Sequence, residues 1–191
     1  MLVHILNDEA MLKEVEEEAR KCTGMSDDVS VIAKHLENSP VILSVWHEAL
    51  RFCTSAITIR DVSQDTQIGN RILKAGARVI VPYKQMLRDP SVFGHDAETF
   101  RPSRFLENKD LLKSSSFRPF GGGTTYCPGR FLAKKEVLIF VALVLVRFDV
   151  KKGNEYVPLP KLEEKRPCLG VMSAQDGDDL LITIKPAKTQ S

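Results

Sequence analysis

The stretch Phe117-Arg118-Pro119-Phe120-Gly121-Gly122-Gly123-Thr124-Thr125-Tyr126-Cys127-Pro128-Gly129-Arg130 constrains this chain more than any other. Three consecutive glycines permit a close, side-chain-free approach to something flat or bulky. Cys127 follows them, and beyond Gly129 comes a run that is apolar from Val137 to Val146. Proline suits a first helical turn, because the N–H it lacks has no partner there. The spacing therefore predicts a helix from about Pro128 to Arg147, with Cys127 at or just before its start. Unpaired N–H groups and the helix dipole favour negative charge at such a place. A lone thiol so placed serves as a nucleophile, as the axial ligand of a metal or haem iron, or as a structural cysteine beside a glycine turn. It has no redox partner at Cys-x-x-Cys spacing.

Composition removes several other classes. The 27 basic and 25 acidic residues leave a net charge of +2, which gives no reason to expect a nucleic-acid partner. Cys22, Cys53 and Cys168 are too scattered for a zinc pattern or a disulfide frame, and a reducing compartment fits them. The apolar run is too short to span a bilayer, and the first residues lack the basic region and cleavage site of a signal peptide. His4, His35, His47 and His95 share no metal-like spacing and are expected on the surface. The glycine triplet lacks the Lys-Ser/Thr that completes a phosphate loop.

Several helices can be placed in order. Asn7 and Asp8 can cap a helix through Lys21, with Val15 and Ala19 inward and an acidic outer face of Glu14, Glu16, Glu17 and Glu18. Val31 to Leu36 predicts a short helix. Ser39-Pro40 predicts the start of another, running to about Cys53, on which Glu48 and Arg51 share a face. Pro82 to Arg88 predicts a further short helix, followed by an irregular loop from Asp89.

Strands are expected at 56–59, 66–68 and 78–81, with turns at Gly69-Asn70 and Ala75-Gly76. A turn is expected at Gly153-Asn154. Leu169 to Met172 and Leu180 to Ile184 predict a hairpin closed by Asp176-Gly177-Asp178-Asp179. The class is mainly α with small β-sheets, α+β. The helix after Cys127 is apolar nearly all round beyond Glu136, so both of its faces need cover.

Three motifs carry a family resemblance. Phe120-Gly121-x-Gly123-x-x-x-Cys127-x-Gly129 resembles the cysteine-ligand loop of the cytochrome P450 family. Glu48-Ala49-Leu50-Arg51 resembles that family's Glu-x-x-Arg on its K helix. Phe100-Arg101-Pro102-Ser103-Arg104-Phe105 resembles its Phe-x-Pro-x-Arg-Phe segment. They stand in family order at family-like spacing. The resemblance implies that residues 1–191 are a C-terminal fragment of a single domain, about the last two-fifths, with the fold incomplete. It would run from the end of the I helix through the ligand loop and the L helix.

The resemblance implies haem b with Cys127 as its axial thiolate. Phe120 would cover the thiolate side, Gly121 and Gly123 would turn backbone N–H groups toward the sulfur, and Gly129 would permit close approach of the helix. Arg60 would reach a propionate, which a guanidinium fork suits. Glu48, Arg51 and Arg104 would form a buried network, with Phe105 beneath. Ser55, Ala56, Ile57 and Thr58, with Val171 and Met172 from the C-terminal side, would line the substrate pocket. Leu132, Val137, Phe140, Ala142 and Leu143 would pack around the haem and the neighbouring bundle. No catalytic residue is expected here, because the oxygen-activating pair belongs to the middle of the I helix. Thr125 stands where many members carry a basic residue, a site that also varies in the subgroup resembling prostacyclin synthase and the sterol 7α-hydroxylases.

The activity implied is that of a haem-thiolate monooxygenase, using O2 and electrons from NADPH-cytochrome P450 reductase on a small apolar substrate. The parent protein would sit at the cytoplasmic face of the endoplasmic reticulum, held to the membrane by an N-terminal anchor missing from this chain, and the 191 residues alone would be inactive. A same-fold isomerase or dehydratase acting on a peroxide is one alternative. A non-catalytic protein with a structural cysteine is the other.

Overall fold

The computed structural model describes residues 1–152, 159–165, 168, 170–178 and 180–187. Its first helices are punctuated by acidic caps. Asp8 accepts from the Met11 N–H at 2.9 Å and separates α1 (Leu2–Asn7) from α2 (Glu9–Thr23). Asp28 accepts from the Ser30 N–H at 2.7 Å and opens α3 (Val29–Leu36).

The next helix, α4 (Pro40–Cys53), is capped from a distance. Ser39 stands at its N-cap, yet its hydroxyl donates to the His35 carbonyl at 3.0 Å and meets Cys22 Sγ at 3.0 Å. The orphan N–H groups of Val41 and Ile42 donate instead to the two carboxylate oxygens of Glu18, at 3.3 and 2.8 Å. Glu18, expected on a solvated face of α2, therefore fixes α2 to the start of α4. Glu18→Ala is expected to cost about 1 kcal/mol, as loss of an ordinary cap does, read as a lower urea midpoint at unchanged slope.

After α4 the chain turns to strands, where β-branched residues recur. β1 (Ile57–Asp61) pairs antiparallel with β4 (Arg78–Pro82), with Thr58 opposite Val81 and Arg60 opposite Val79. Between them, β2 (Thr66–Ile68) and β3 (Arg71–Leu73) form a hairpin. Its turn needs a left-handed residue, supplied by Gly69 at φ 60°. Three short helices follow: α5 (Tyr83–Leu87), α6 (Pro90–Phe93) and α7 (Arg104–Glu107). β3 is additional to the strands the sequence predicts, and α6 replaces part of the expected loop, where the Asp89 carboxylate accepts from the Ser91 N–H at 2.9 Å.

The long helix α8 spans Arg130–Arg147 and leads into β5 (Phe148–Lys152). β5 pairs with β6 (Ile182–Pro186), Val150 opposite Ile184. This corrects the expected hairpin of 169–172 with 180–184. Val171 instead bridges Thr54 at the end of α4, and the later strand extends the exit of α8. Leu169, Asp179 and the expected turn at Gly153-Asn154 lie outside the described residues.

The apolar side chains gather in two cores. One joins α1–α4 to α8 through Ile5, Val15, Leu36, Ile42, Leu138 and Leu145. The other holds Tyr83, Leu87, Phe93, Phe105, Leu111 and Phe117. On α8, Ala142 is buried but Leu132 and Phe140 are exposed, at 62% and 61%. Among the described residues no helix is long and apolar enough to cross a membrane. Membrane attachment is therefore not something the described residues themselves provide.

Candidate functional site

Two cationic side chains converge on one buried carboxylate. Glu48 and Arg51 are completely buried and Arg104 nearly so. Arg51 Nε and Nη2 donate to the two Glu48 oxygens at 2.8 Å each. Its remaining donors reach the carbonyls of Leu87, Ala97 and Thr99 at 3.0, 2.7 and 3.1 Å. All five guanidinium hydrogens are thereby used. Arg104 Nε donates to both Glu48 oxygens at 3.2 Å, and its Nη atoms reach Phe93, Asp96 and Thr99. The Arg101 N–H completes the set on Glu48 at 2.7 Å. Phe105 is buried in the second core.

Asp96 is a member that sequence reasoning missed. It lies in an irregular segment whose spacing to Arg104 carries no helical or strand signal. Desolvation alone would raise its carboxyl, but hydrogen bonds from Arg101 and Arg104, and their charges, hold the pKa at about 2, below the ordinary 3.8. The unfolded chain binds the Asp96 proton more tightly. Its support for the fold is therefore complete above about pH 4 and fades as pH falls toward 2. Wild type and Asp96→Asn should differ in urea midpoint near neutrality and converge through that window.

The cysteine loop closes on itself. The Cys127 N–H donates to the Phe120 carbonyl at 3.2 Å, and the Cys127 carbonyl accepts from Arg130 Nη1 at 2.7 Å. Gly121 and Gly123 have φ of 82° and 70°, backbone that other residues rarely adopt. α8 begins at Arg130, with Gly129 as N-cap, so Cys127 stands three residues before the helix and Pro128 is outside it. The Gly121 N–H donates to the Arg118 carbonyl at 3.0 Å, so that group is not turned to the sulfur as expected.

Cys127 opens into a cleft of about 350 Å³. Phe120, Gly121, Arg60, Ala56, Ile57 and Val171 line it as well. Six candidates from three stretches thus share one cleft with the thiol. Ser55 and Met172 do not line this cleft. The Ser55 N–H pairs with the Gly170 carbonyl at 2.9 Å and Met172 is buried. Gly123 and Gly129 shape the loop behind it, and a Cβ on Gly129 would lie 3.7 Å from Cys127 Sγ. Thr58, at the end of the stretch from Ser55 expected to line the pocket, does line the cleft, and Leu50, Tyr83 and Pro119 line it without having been singled out as site residues.

The family model for cytochrome P450 matches residues 1–181. The chain belongs to the cytochrome P450 family. A self-sufficient cytochrome P450 monooxygenase of Aspergillus kawachii is 36% identical over 143 residues, covering 73% of this chain and 13% of the relative. A cytochrome P450 monooxygenase of Penicillium oxalicum is 30% identical over 172 residues, covering 85% and 35%. A bifunctional cytochrome P450/NADPH–P450 reductase of Alternaria alternata is 28% identical over 158 residues, covering 81% and 14%. The chain thus spans between 13% and 35% of the length of these relatives.

The match corrects the sequence reading in two respects. P450 membership runs over nearly the whole 191 residues, and so does the mixed α+β fold. Within the chain, neither stops at the long helix ending at Arg147, where the expected resemblance ended, since the matched residues continue to 181.

P450 proteins carry haem held by a cysteine thiolate, and the residues present fit that group. Among the described residues no three His, Cys, Asp or Glu converge on a metal position. A haem iron asks the protein for one thiolate rather than for such a cluster. The cleft offers one sulfur, an aromatic wall at Phe120 and a guanidinium at Arg60.

Proposed function

We propose that the whole protein is a haem-thiolate monooxygenase that hydroxylates an apolar organic substrate. The observation that carries this reading is the meeting of Cys127, Phe120 and Arg60 in one cleft, on a chain whose named relatives are P450 proteins. Bound haem supplies O–O bond cleavage, which thiolate ligation favours. Cys127 would hold the iron through its thiolate. Phe120 would keep water from the sulfur, and an apolar surround of that kind tunes a metal's potential. The left-handed backbone at Gly121 and Gly123 would let the loop lie flat against the porphyrin. Arg60 would pair with a propionate, and Ala56, Ile57 and Val171 would form the apolar wall that places substrate. Glu48, Arg51 and Arg104 would hold α4 and the loop before the ligand in register without touching substrate.

Electrons would come from NADPH-cytochrome P450 reductase, and we place the protein at the cytoplasmic face of the endoplasmic reticulum on family context. The test uses the complete native protein with haem. Hydroxylation of an apolar substrate that requires O2, NADPH and reductase is the expected result. Turnover of an organic hydroperoxide alone, with no dependence on reductase, would overturn it in favour of a peroxide isomerase or dehydratase.

A further inference from the structure

Thr58 and Tyr83 line the same cleft as Cys127 and Arg60. Thr58 Oγ1 and Tyr83 Oη lie 2.9 Å apart. Two hydroxyls carry two hydrogens, and the bond between them uses one. The second hydrogen meets no acceptor among the described residues. The pair is part-buried and lines the cleft, so that hydrogen is available to an acceptor bound there.

The surroundings hold this donor in place. The Tyr83 N–H donates to the Ala56 carbonyl at 3.2 Å, and Thr58 is fixed opposite Val81 in the β1–β4 pair. A Cβ on Gly121 would lie 3.6 Å from Tyr83 Oη, so the hydroxyl rests against the cysteine loop. Thr58 and Arg60 are two apart on β1 and share a face of that strand. A neutral O–H donor and a guanidinium therefore stand on one side of one cleft.

Resting on the haem reading above, we propose that Tyr83, Thr58 and Arg60 form a carboxylate-binding site in the Cys127 cleft. The spare hydroxyl hydrogen donates to one carboxylate oxygen and the guanidinium pairs with the other, both charge-assisted bonds. The carboxylate is either a porphyrin propionate or the head group of an acidic apolar substrate. The hydroxyl pair thereby takes up part of the anchoring that a basic residue at position 125 would give.

The test compares the complete native protein with the double variant Tyr83→Phe/Thr58→Val, which keeps the ring and the branched side chain but removes both hydroxyls. Iron protoporphyrin IX and its dimethyl ester are titrated into the apoprotein. Palmitate and methyl palmitate are titrated into the haem-loaded protein. A propionate site predicts that the wild type prefers the free-acid porphyrin and that the double variant loses roughly tenfold of that preference. A substrate site predicts the same loss for palmitate over its ester, with the porphyrin ratio unmoved. Thr58→Val alone, which leaves the Tyr83 hydroxyl, should retain most of the preference. Equal preferences in wild type and double variant, with thiolate spectra intact in both, would overturn the site and leave the haem reading standing. A native protein with no thiolate signature would overturn both.

Discussion

Glu48→Ala is expected to destabilise the protein by about 3–5 kcal/mol, enough to remove most of the margin of an ordinary domain. Glu48 is completely buried and is the only carboxylate among the described residues shared by Arg51 and Arg104. Its removal strands two guanidiniums away from water. Arg51 keeps the carbonyls of Leu87, Ala97 and Thr99, and Arg104 keeps Asp96. Those partners hydrogen-bond but only Asp96 offsets charge. Arg51→Lys should also destabilise strongly, because an ammonium has three donors where five are in use. Urea unfolding of each variant against wild type measures this. A Glu48→Ala protein within about 1 kcal/mol of wild type would show that water reaches the network. A triple apolar replacement of Glu48, Arg51 and Arg104 separates stability from specificity. If the network chiefly selects one packing, that variant can be as stable as wild type while losing a unique arrangement of the loop before Cys127.

What was legible before the structure depended on how local the signal was. α4 was readable because Pro40 starts it and its apolar residues recur at helical spacing. Glu48 and Arg51 share its face, so their pairing follows from the same period. Arg104, far along the chain, entered only through the family motif. Asp96 and Glu18 carried no comparable signal. One sits in irregular backbone, and the other looks like any acidic residue on a charged helix face. Its capping role depends on where α4 ends up in space. The expected hairpin of 169–172 with 180–184 is replaced by the β5–β6 pair for a related reason. The residues at 180–184 are strand-like, but strand character does not name a partner, and 169–172 is merely the stretch nearer in sequence. At the site, the cysteine loop was legible through its glycines, whereas the Thr58–Tyr83 pair was not. Tyr83 looked like the start of a short helix, and only the β1–β4 register brings its hydroxyl to Thr58.

Cys127→Ala should have the opposite profile from Glu48→Ala, leaving the fold intact and abolishing function. The Cys127 side chain is exposed, so truncating it removes little packing. The backbone bonds that close the loop, from its N–H to Phe120 and from Arg130 to its carbonyl, do not involve the sulfur. Urea midpoints should therefore shift by no more than about 0.5 kcal/mol, as for an ordinary surface change. In the complete native protein with haem, the variant should lose the red-shifted Soret band of the reduced thiolate-ligated carbonyl complex, and hydroxylation should fall to background. Cys127→Ser keeps a smaller donor at the same place but not the soft, electron-releasing sulfur on which O–O cleavage depends. It should also lose the band, even where some haem is retained. A structural cysteine predicts the reverse pattern, a loss of stability with an unchanged spectrum. If Cys127→Ala took up haem with the native spectrum, the thiol would not be the ligand, and the convergence of Phe120, Arg60 and Cys127 on one cleft would need another explanation.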